Sequence, residues 1–230
     1  TKKLLASPIE ALHAIELDRD LIPGLKENFG QNEKFSLKEG DVLSVPLVPS
    51  NKLPLNKVVA NIPYNITGPI LERLIGRLDC PVEYIYERLV ILLQKEVADR
   101  IIANPGDSNF SALSVRIQLM AKCRKVCIVP PKCFQPPPKV YSQVIILEPF
   151  KLHERIDLEL AKQVETLLKT AFLGRRKMLH NTLVALPCFS QLSRLAKDSG
   201  ISLEQRPQDL FPSQWLKLAK GLIQETGMYS

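Results

Sequence analysis

Asn61, Ile62, Pro63 and Tyr64 stand in an order suited to holding a planar amino group. Asn61 offers a side-chain carbonyl, Ile62 and Pro63 commit the backbone to a rigid turn, and Tyr64 offers a flat aromatic face. The run before them, Val58-Val59-Ala60, reads as a buried strand that stops where Asn and Pro cannot continue it. The polar groups then lie at a strand's carboxyl end, the edge where open α/β sheets bind ligands. A strand-ending turn whose Asn satisfies local backbone is the competing reading of the same four residues. Two carboxylates are placed to join such a site. Glu16 closes the strand-like run Leu12 to Leu17 near its end, and Asp41 follows the short strand Phe35 to Lys38 and Gly40. A carboxylate ending a second strand is how an α/β fold binds ribose hydroxyls, and Asp41 could accept from an adenine amine. None of the ten glycines forms G-x-G, so the Gly-rich turn that usually accompanies such carboxylates has no counterpart in these 230 residues.

The elements that must position these groups alternate. After the strand ending at Glu16, a helix is expected from about Asp20 to Phe29, stopping at Gly30, and a Pro-rich loop at 46–56. The strand at 57–61 leads to a helix from Thr67, placed as an N-cap, to Leu78. Residues 84–94 read as a buried strand, and Lys95 to Ala103 as a helix. Strands alternating with helices predict a doubly wound parallel sheet. Residues 104–109 carry turn chemistry and are expected to form a mobile loop beside the ligand edge. A helix at about Ser111 to Ala121, a strand at Val126 to Val129, the segment PPKCFQPPPKV and a strand at Tyr141 to Leu147 predict a closing antiparallel hairpin. Its stiff connection would hold Phe134 at a fixed place.

Past Glu148-Pro149 no strand-like run remains, and apolar residues recur at helical spacing. The chain therefore divides into residues 1–149, an α/β domain, and residues 150–230, an all-helical domain. The second part holds 12 Lys and Arg against 8 Asp and Glu, the first 19 against 16. Arg175, Arg176 and Lys177 form the tightest basic cluster. Basic side chains at a helix start do not help the helix dipole, which favours a partner over a merely solvated helix start.

A net charge of +7 and a pI near 9.2 are compatible with a polyanionic partner. No apolar run approaches the roughly 20 residues that span a bilayer, and the first residues do not resemble a signal peptide. Five cysteines at spacings that fit no common zinc pattern read as reduced thiols of an intracellular protein. His13, His153 and His180 show no metal spacing, so no metal is expected. Trp215 is read as core rather than base-stacking, and Lys95 and Glu96 as a salt-bridged helix start.

ALHAIELDRDLIPGL, KEGDVL, VVANIPYNITGPIL, LLQKEVADRI, CFQPPPKVYSQVI and AFLGRRKMLHNTL occur in the order that resembles the ribosomal RNA adenine N6,N6-dimethyltransferase family. The similarity covers nearly the whole chain. Asn-(Ile/Leu)-Pro-Tyr is shared with other amino-methyltransferases, but LLQKEVADR, QPPPKV and the helical segment with RRK narrow the match. The resemblance implies a Rossmann-like methyltransferase domain, mostly parallel with a C-terminal antiparallel hairpin, plus a small helical RNA-binding domain. It implies S-adenosylmethionine as cofactor and dimethylation of two adjacent adenines near the 3′ end of small-subunit ribosomal RNA during subunit assembly. The expected partner is that RNA or the pre-ribosomal small subunit, with no membrane and a monomeric enzyme. The compartment would be the cytoplasm if the source is bacterial, or a plastid or mitochondrion if organellar.

By the same resemblance, Glu16 is the ribose ligand and Asp41 the ligand to the cofactor's adenine. Asn61 also lies against the cofactor, and Asn61 with Pro63 belongs to the catalytic motif. Tyr64 and Phe134 are stacking faces for the extruded target adenine, and Arg175, Arg176 and Lys177 contact RNA. Three departures stand out: the family's Gly-rich turn has no counterpart, Tyr141 stands where Asp is frequent, and Phe110-Ser111-Ala112 replaces Tyr-Gly-Arg. A non-catalytic assembly factor, or a DNA-adenine or protein-glutamine methyltransferase, are the alternatives at this stage.

Overall fold

Two short apolar runs flanking a Pro-initiated helix build the first unit of the fold. The computed structural model describes residues 1–48, 55–83 and 86–227. After a four-residue helix, α1 (Lys2–Leu5), strand β1 (Leu12–Glu16) leads through helix α2 (Ile22–Phe29) to strand β2 (Phe35–Glu39). β1 and β2 pair in parallel, from Leu12 opposite Phe35 to Glu16 opposite Glu39. Phe29 packs on Phe35 with ring centroids 5.6 Å apart, which fixes α2 against β2. Most of the expected Pro-rich loop at 46–56 lies outside the described residues.

The second unit contains strand β3 (Lys57–Asn61), helix α3 (Thr67–Ile75), strand β4 (Arg88–Gln94), helix α4 (Lys95–Ile102), helix α5 (Ala112–Gln118), strand β5 (Ala121–Val129) and strand β6 (Ser142–Pro149). Its sheet has the order β3-β4-β6-β5. β3 runs parallel to β4, while β4–β6 and β5–β6 are antiparallel, so the expected hairpin is present. Leu89, Ile91 and Leu93 alternate along β4 opposite Leu147, Ile145 and Gln143, all without solvent exposure. Burying each such aliphatic side chain stabilises the fold by about 1.5–3 kcal/mol.

Several expectations change in detail. Described ladders are two parallel and two antiparallel, the latter belonging to the C-terminal hairpin strands, and β1–β2 is not hydrogen-bonded to the four-stranded sheet among the described residues. β3 is not buried: among the described residues it pairs with β4 alone, and its alternating pattern leaves Val59 57% exposed. The strand expected at 84–94 is seen from Arg88 on, residues 84 and 85 lying outside the described ranges. α3 ends at Ile75 rather than Leu78, because Gly76 takes φ +80° and a Cβ there would sit 2.8 Å from the Val82 nitrogen. α5 stops at Gln118, and Ala121, expected in a helix, begins β5 by pairing with Pro149.

The remainder is helical: α6 (Leu158–Phe172), α7 (Leu179–Leu183), α8 (Phe189–Asp198) and α9 (Pro212–Gly227). Asp157 caps α6 by accepting from the Leu160 amide at 2.8 Å. Trp215 is fully buried beside Phe172, in keeping with its reading as core. One contiguous cluster of buried side chains runs from the sheet into these helices. Polar ties cross the same seam. Arg116 of α5 donates two hydrogen bonds to the buried Glu165 of α6, at 2.8 and 2.9 Å. Arg155 donates to the Phe150 carbonyl at 3.2 Å and to the Ile75 carbonyl at the end of α3 at 2.9 Å, and burial lowers its pKa.

Candidate active site

Asn61 ends β3, and its side chain is exposed with no hydrogen bond to the chain among the described residues. That disfavours a local backbone-satisfying role. The turn behind it is fixed from both sides: Ile62 is buried and its N–H donates to the Leu92 carbonyl at 3.2 Å, while Pro63 accepts from the Ile66 N–H at 3.1 Å. Pro63 has extended geometry (φ −55°, ψ 133°) and opens a single 3₁₀ turn, Tyr64–Ile66, that runs into α3. Thr67 is therefore the first residue of α3 and not its N-cap; its hydroxyl donates instead to the Tyr64 carbonyl at 3.3 Å.

Tyr64 is half-buried, and its hydroxyl lies 2.6 Å from the Ser142 hydroxyl, which is fully buried at the start of β6. This contact ties the Asn61 turn to the start of β6. Ser142 pairs with Gln94 on one side and Val129 on the other, so the ends of β4 and β5 and the start of β6 meet beside the Asn61 turn. Between β5 and β6, a 3₁₀ turn at Pro131–Cys133 presents Phe134, half-buried, with its N–H donated to the Pro131 carbonyl at 3.0 Å. An open groove of about 340 Å³ follows, lined by Gln94, Lys95, Glu96, Lys139, Val140 and Tyr141. Lys95 and Glu96 are engaged in i,i+4 ion pairs with Asp99 and Arg100, as expected.

On the opposite side, Glu16 and Asp41 stand at adjoining strand ends, because the Gly40 N–H donates to the Glu16 carbonyl at 2.9 Å. Glu16 Oε1 accepts from the Asp18 N–H at 2.9 Å, and Asp41 Oδ1 from the Leu43 N–H at 2.8 Å. In each carboxylate one oxygen orients the group and the other has no partner among the described residues. Gly40 at φ +141° permits this corner, since a Cβ would lie 2.6 Å from Val45 Cγ1. Two oriented, half-exposed carboxylates at neighbouring strand ends fit the hydroxyl and amine donors of an adenosine group.

Arg175, Arg176 and Lys177 lie in the connection between α6 and α7 rather than at a helix start. Arg175 donates to the Ser108 carbonyl, leaving Arg176 and Lys177 exposed and without an ion-pair partner among the described residues. The same contact, with Gly106 N–H donating to the Gln208 carbonyl at 2.8 Å, docks loop 104–109 on the helical part. Both contacts hold this loop, expected from the sequence to be mobile, against the helical part. Of the histidines, His13 Nδ1 lies 2.9 Å from the Ser36 hydroxyl, and His180 packs edge-on against Phe189.

Sequence reasoning gave no role to Ser142, although it sits in the quoted CFQPPPKVYSQVI block. Its neighbour Gln143 is fully buried with both amide atoms unpartnered among the described residues. A second cavity, of about 80 Å³, lies away from this chemistry between Leu78, Met120 and Arg155 at the seam with the helical part.

A sheet with helices, carboxylates at one pair of strand ends and an Asn-x-Pro-Tyr turn at another defines the class of Rossmann-like amino-methyltransferases, here with a helical C-terminal part. The family model "Ribosomal RNA adenine dimethylase" matches residues 1–224, and the chain belongs to that family. Its members are S-adenosylmethionine-dependent enzymes that dimethylate adenines in ribosomal RNA. The chain is 62% identical over 224 residues to "Ribosomal RNA small subunit methyltransferase A" of Synechococcus sp. (strain CC9311), covering 97% of this chain and 81% of that protein. It is 61% identical over 222 residues to the protein of that name in Prochlorococcus marinus (strain MIT 9303), covering 96% and 79%. Among solved structures, a dimethyladenosine transferase from Plasmodium falciparum superposes with a TM-score of 0.77 at 25% identity, covering 97% of this chain and 86% of that one. The 23S rRNA methyltransferase ErmE, with a TM-score of 0.71 at 21% identity over 96% and 85% of the two chains, shares the fold. No helix among the described residues is long and apolar enough to cross a membrane.

Proposed function

We propose that this chain, acting as a monomer, dimethylates N6 of two adjacent adenines near the 3′ end of small-subunit ribosomal RNA during assembly of that subunit. The reaction would take place wherever that subunit is built, in a bacterial cytoplasm or in a plastid or mitochondrion. The observation that carries this reading is the uncommitted amide of Asn61 on a turn fixed by Ile62 and Pro63, next to a Tyr64 anchored by Ser142.

An exocyclic adenine amine is a poor nucleophile because its lone pair is delocalised into the ring. Donation of its two N–H groups to Asn61 Oδ1 and to a neighbouring backbone carbonyl would localise that pair at nitrogen. Tyr64 and Phe134 would stack on the extruded base, worth about 1–3 kcal/mol per base, offsetting the cost of removing it from its helix. Glu16 would accept from the cofactor's ribose hydroxyls and Asp41 from its adenine amine. S-adenosylmethionine supplies, when bound, a methyl group on a cationic sulfur. The N–C bond would form as the methyl–sulfur bond breaks and a neutral thioether leaves; the amine, turned acidic, would release its proton to water, so positioning and electrostatics suffice without a strong base. β1 and β3 each present an edge without a hydrogen-bonded partner among the described residues. One further parallel strand, ending in the family's Gly-rich turn, would complete the donor side there. In this reading Arg176 and Lys177 contact phosphates, and Arg175 secures their connection.

The experiment is methyl transfer from labelled S-adenosylmethionine to assembling small-subunit particles and, separately, to adenine-containing duplex DNA. Label recovered as N6,N6-dimethyladenosine from the RNA alone is expected. Label in DNA or in protein would replace the assignment, and RNA binding without label or cofactor uptake would leave a non-catalytic assembly factor.

A further inference from the structure

Residues 108–147 form forty consecutive positions without an Asp or Glu, and they include six Lys and Arg. One of the six, Arg116, is committed to Glu165. The other five, Lys122, Arg124, Lys125, Lys132 and Lys139, are all exposed, and none has an ion-pair partner among the described residues. Three of them lie on β5, the outermost strand in the order β3-β4-β6-β5, whose outer edge bears no further strand among the described residues.

The direction of β5 matters. Its last residue, Val129, lies opposite Ser142, whose hydroxyl holds Tyr64, and Lys132 and Lys139 continue into the loop that presents Phe134 and lines the groove. Its other end, Ala121 and Lys122, lies opposite Pro149 and Glu148, where Phe150 N–H donates to the Met120 carbonyl and the chain enters the helical part. At about 3.3 Å per residue, the seven steps from Lys122 to Val129 span roughly 23 Å. Cations thus stand at both ends of this path, Lys132 and Lys139 at the rim of the adenine site and Lys122, Arg124 and Lys125 toward the foot of the helical part, with uncharged Val126 to Pro131 between them. Side chains alternate along the strand, so Lys122 and Arg124 share one face and Lys125 takes the other, just before the bulge between Lys125 and Cys127.

We propose that the outer edge of β5 carries the phosphodiester backbone of the substrate RNA away from the target adenines, with Lys132 and Lys139 at the rim and Lys125, Arg124 and Lys122 along the path. The inference rests on the RNA-methylating reading above and adds the route of the strand. A row of unpaired cations complements a polyanion whose binding is driven by release of condensed counterions. The competing explanation is that charges on an open edge merely prevent strand-to-strand association.

The test is binding of a small-subunit RNA fragment containing the target adenines, measured against salt concentration, for the full chain and for the triple variant Lys122→Ala, Arg124→Ala, Lys125→Ala. Three lost phosphate contacts to a single strand should lower the magnitude of the salt slope by roughly 2 and weaken binding roughly 10- to 100-fold near 0.1 M salt. The charge-keeping variant Lys122→Arg, Arg124→Lys, Lys125→Arg should retain the original slope, which separates lost charge from lost fold. An unchanged slope in the Ala variant while the parent binds RNA would overturn the β5 path and leave the RNA reading intact. Self-association of that variant with unaltered RNA binding would assign the charges to edge protection. A parent chain that does not bind the fragment would overturn both.

Discussion

Removing the Ser142 hydroxyl tests whether Tyr64 is held for catalysis by a single buried contact. Ser142→Ala leaves the Tyr64 O–H facing a methyl group, and Tyr64→Phe leaves the fully buried Ser142 O–H without its partner. Stranding a buried polar group costs about 1–3 kcal/mol, whereas removing both partners can be nearly neutral. Because Tyr64 is only half-buried and water can reach part of it, the lower half of that range applies to Ser142→Ala. Ser142→Ala should thus lose about 1–2 kcal/mol in urea unfolding and Tyr64→Phe about 1–3 kcal/mol, and the double variant should lose less than the sum. That leaves a coupling of about 1 kcal/mol, above the roughly 0.3–0.5 kcal/mol of independent sites. Single-turnover methyl transfer should fall in parallel, about 3- to 10-fold for Ser142→Ala, because a loosened ring positions the adenine less well. In the Tyr64→Phe background, Ser142→Ala should change that rate little. Additive losses in both assays would refute the idea that Ser142 acts through Tyr64.

Glu165→Ala leaves Arg116 without its bidentate partner at the seam with the helical part. A loss of about 2–4 kcal/mol is expected, below the roughly 3–5 kcal/mol of a wholly buried pair because the Arg116 side chain is 31% exposed. Calorimetry should show Tm lower by roughly 5–15 °C. Burial pushes the Cys123 thiol up to about 12, so at pH 8 alkylation read by mass spectrometry should reach the exposed Cys80, Cys127 and Cys133 well before Cys123. The sign for stability follows: the raised value favours the folded state below the ordinary thiol pKa, and that contribution is lost as pH climbs from about 9.0 toward 12. Replacing Arg176 and Lys177 with Ala should lower the salt slope of RNA binding by roughly 1–2, with Tm unchanged. Arg175→Ala should instead free loop 104–109, seen as faster amide exchange at Gly106 and Asp107.

Much of the fold was legible because its elements announce themselves locally. Gly30 closing α2, the apolar runs of β3 and β4 and the spacing around Trp215 each encode one element within a few residues. β5 was cut short because Lys122, Arg124 and Lys125 break its apolar character; cross-strand pairing to β6 makes it a strand, and that information lies some twenty residues away. β3 looked buried because three apolar residues say nothing about how many neighbours a strand has. In the site, Asn61, Tyr64, Glu16 and Asp41 could be picked out because each sits where a strand-like run ends. The hydroxyl pair Tyr64–Ser142, the reach of Arg175 to Ser108 and that of Arg155 to Ile75 join positions 78, 67 and 80 residues apart, and no local pattern predicts them.

The most direct measurement is methyl transfer by Asn61→Ala on small-subunit particles, run beside RNA binding and calorimetric cofactor uptake for the same variant. Loss of one hydrogen-bonding group that acts in the transition state lowers rates by about 10²–10³. Dimethyladenosine formation should fall at least that far while RNA affinity stays within a few-fold of the parent. Methylation at the parent's rate would remove Asn61 from the mechanism and, with it, the reading of Asn61-Ile62-Pro63-Tyr64 as the site that holds the acceptor amine.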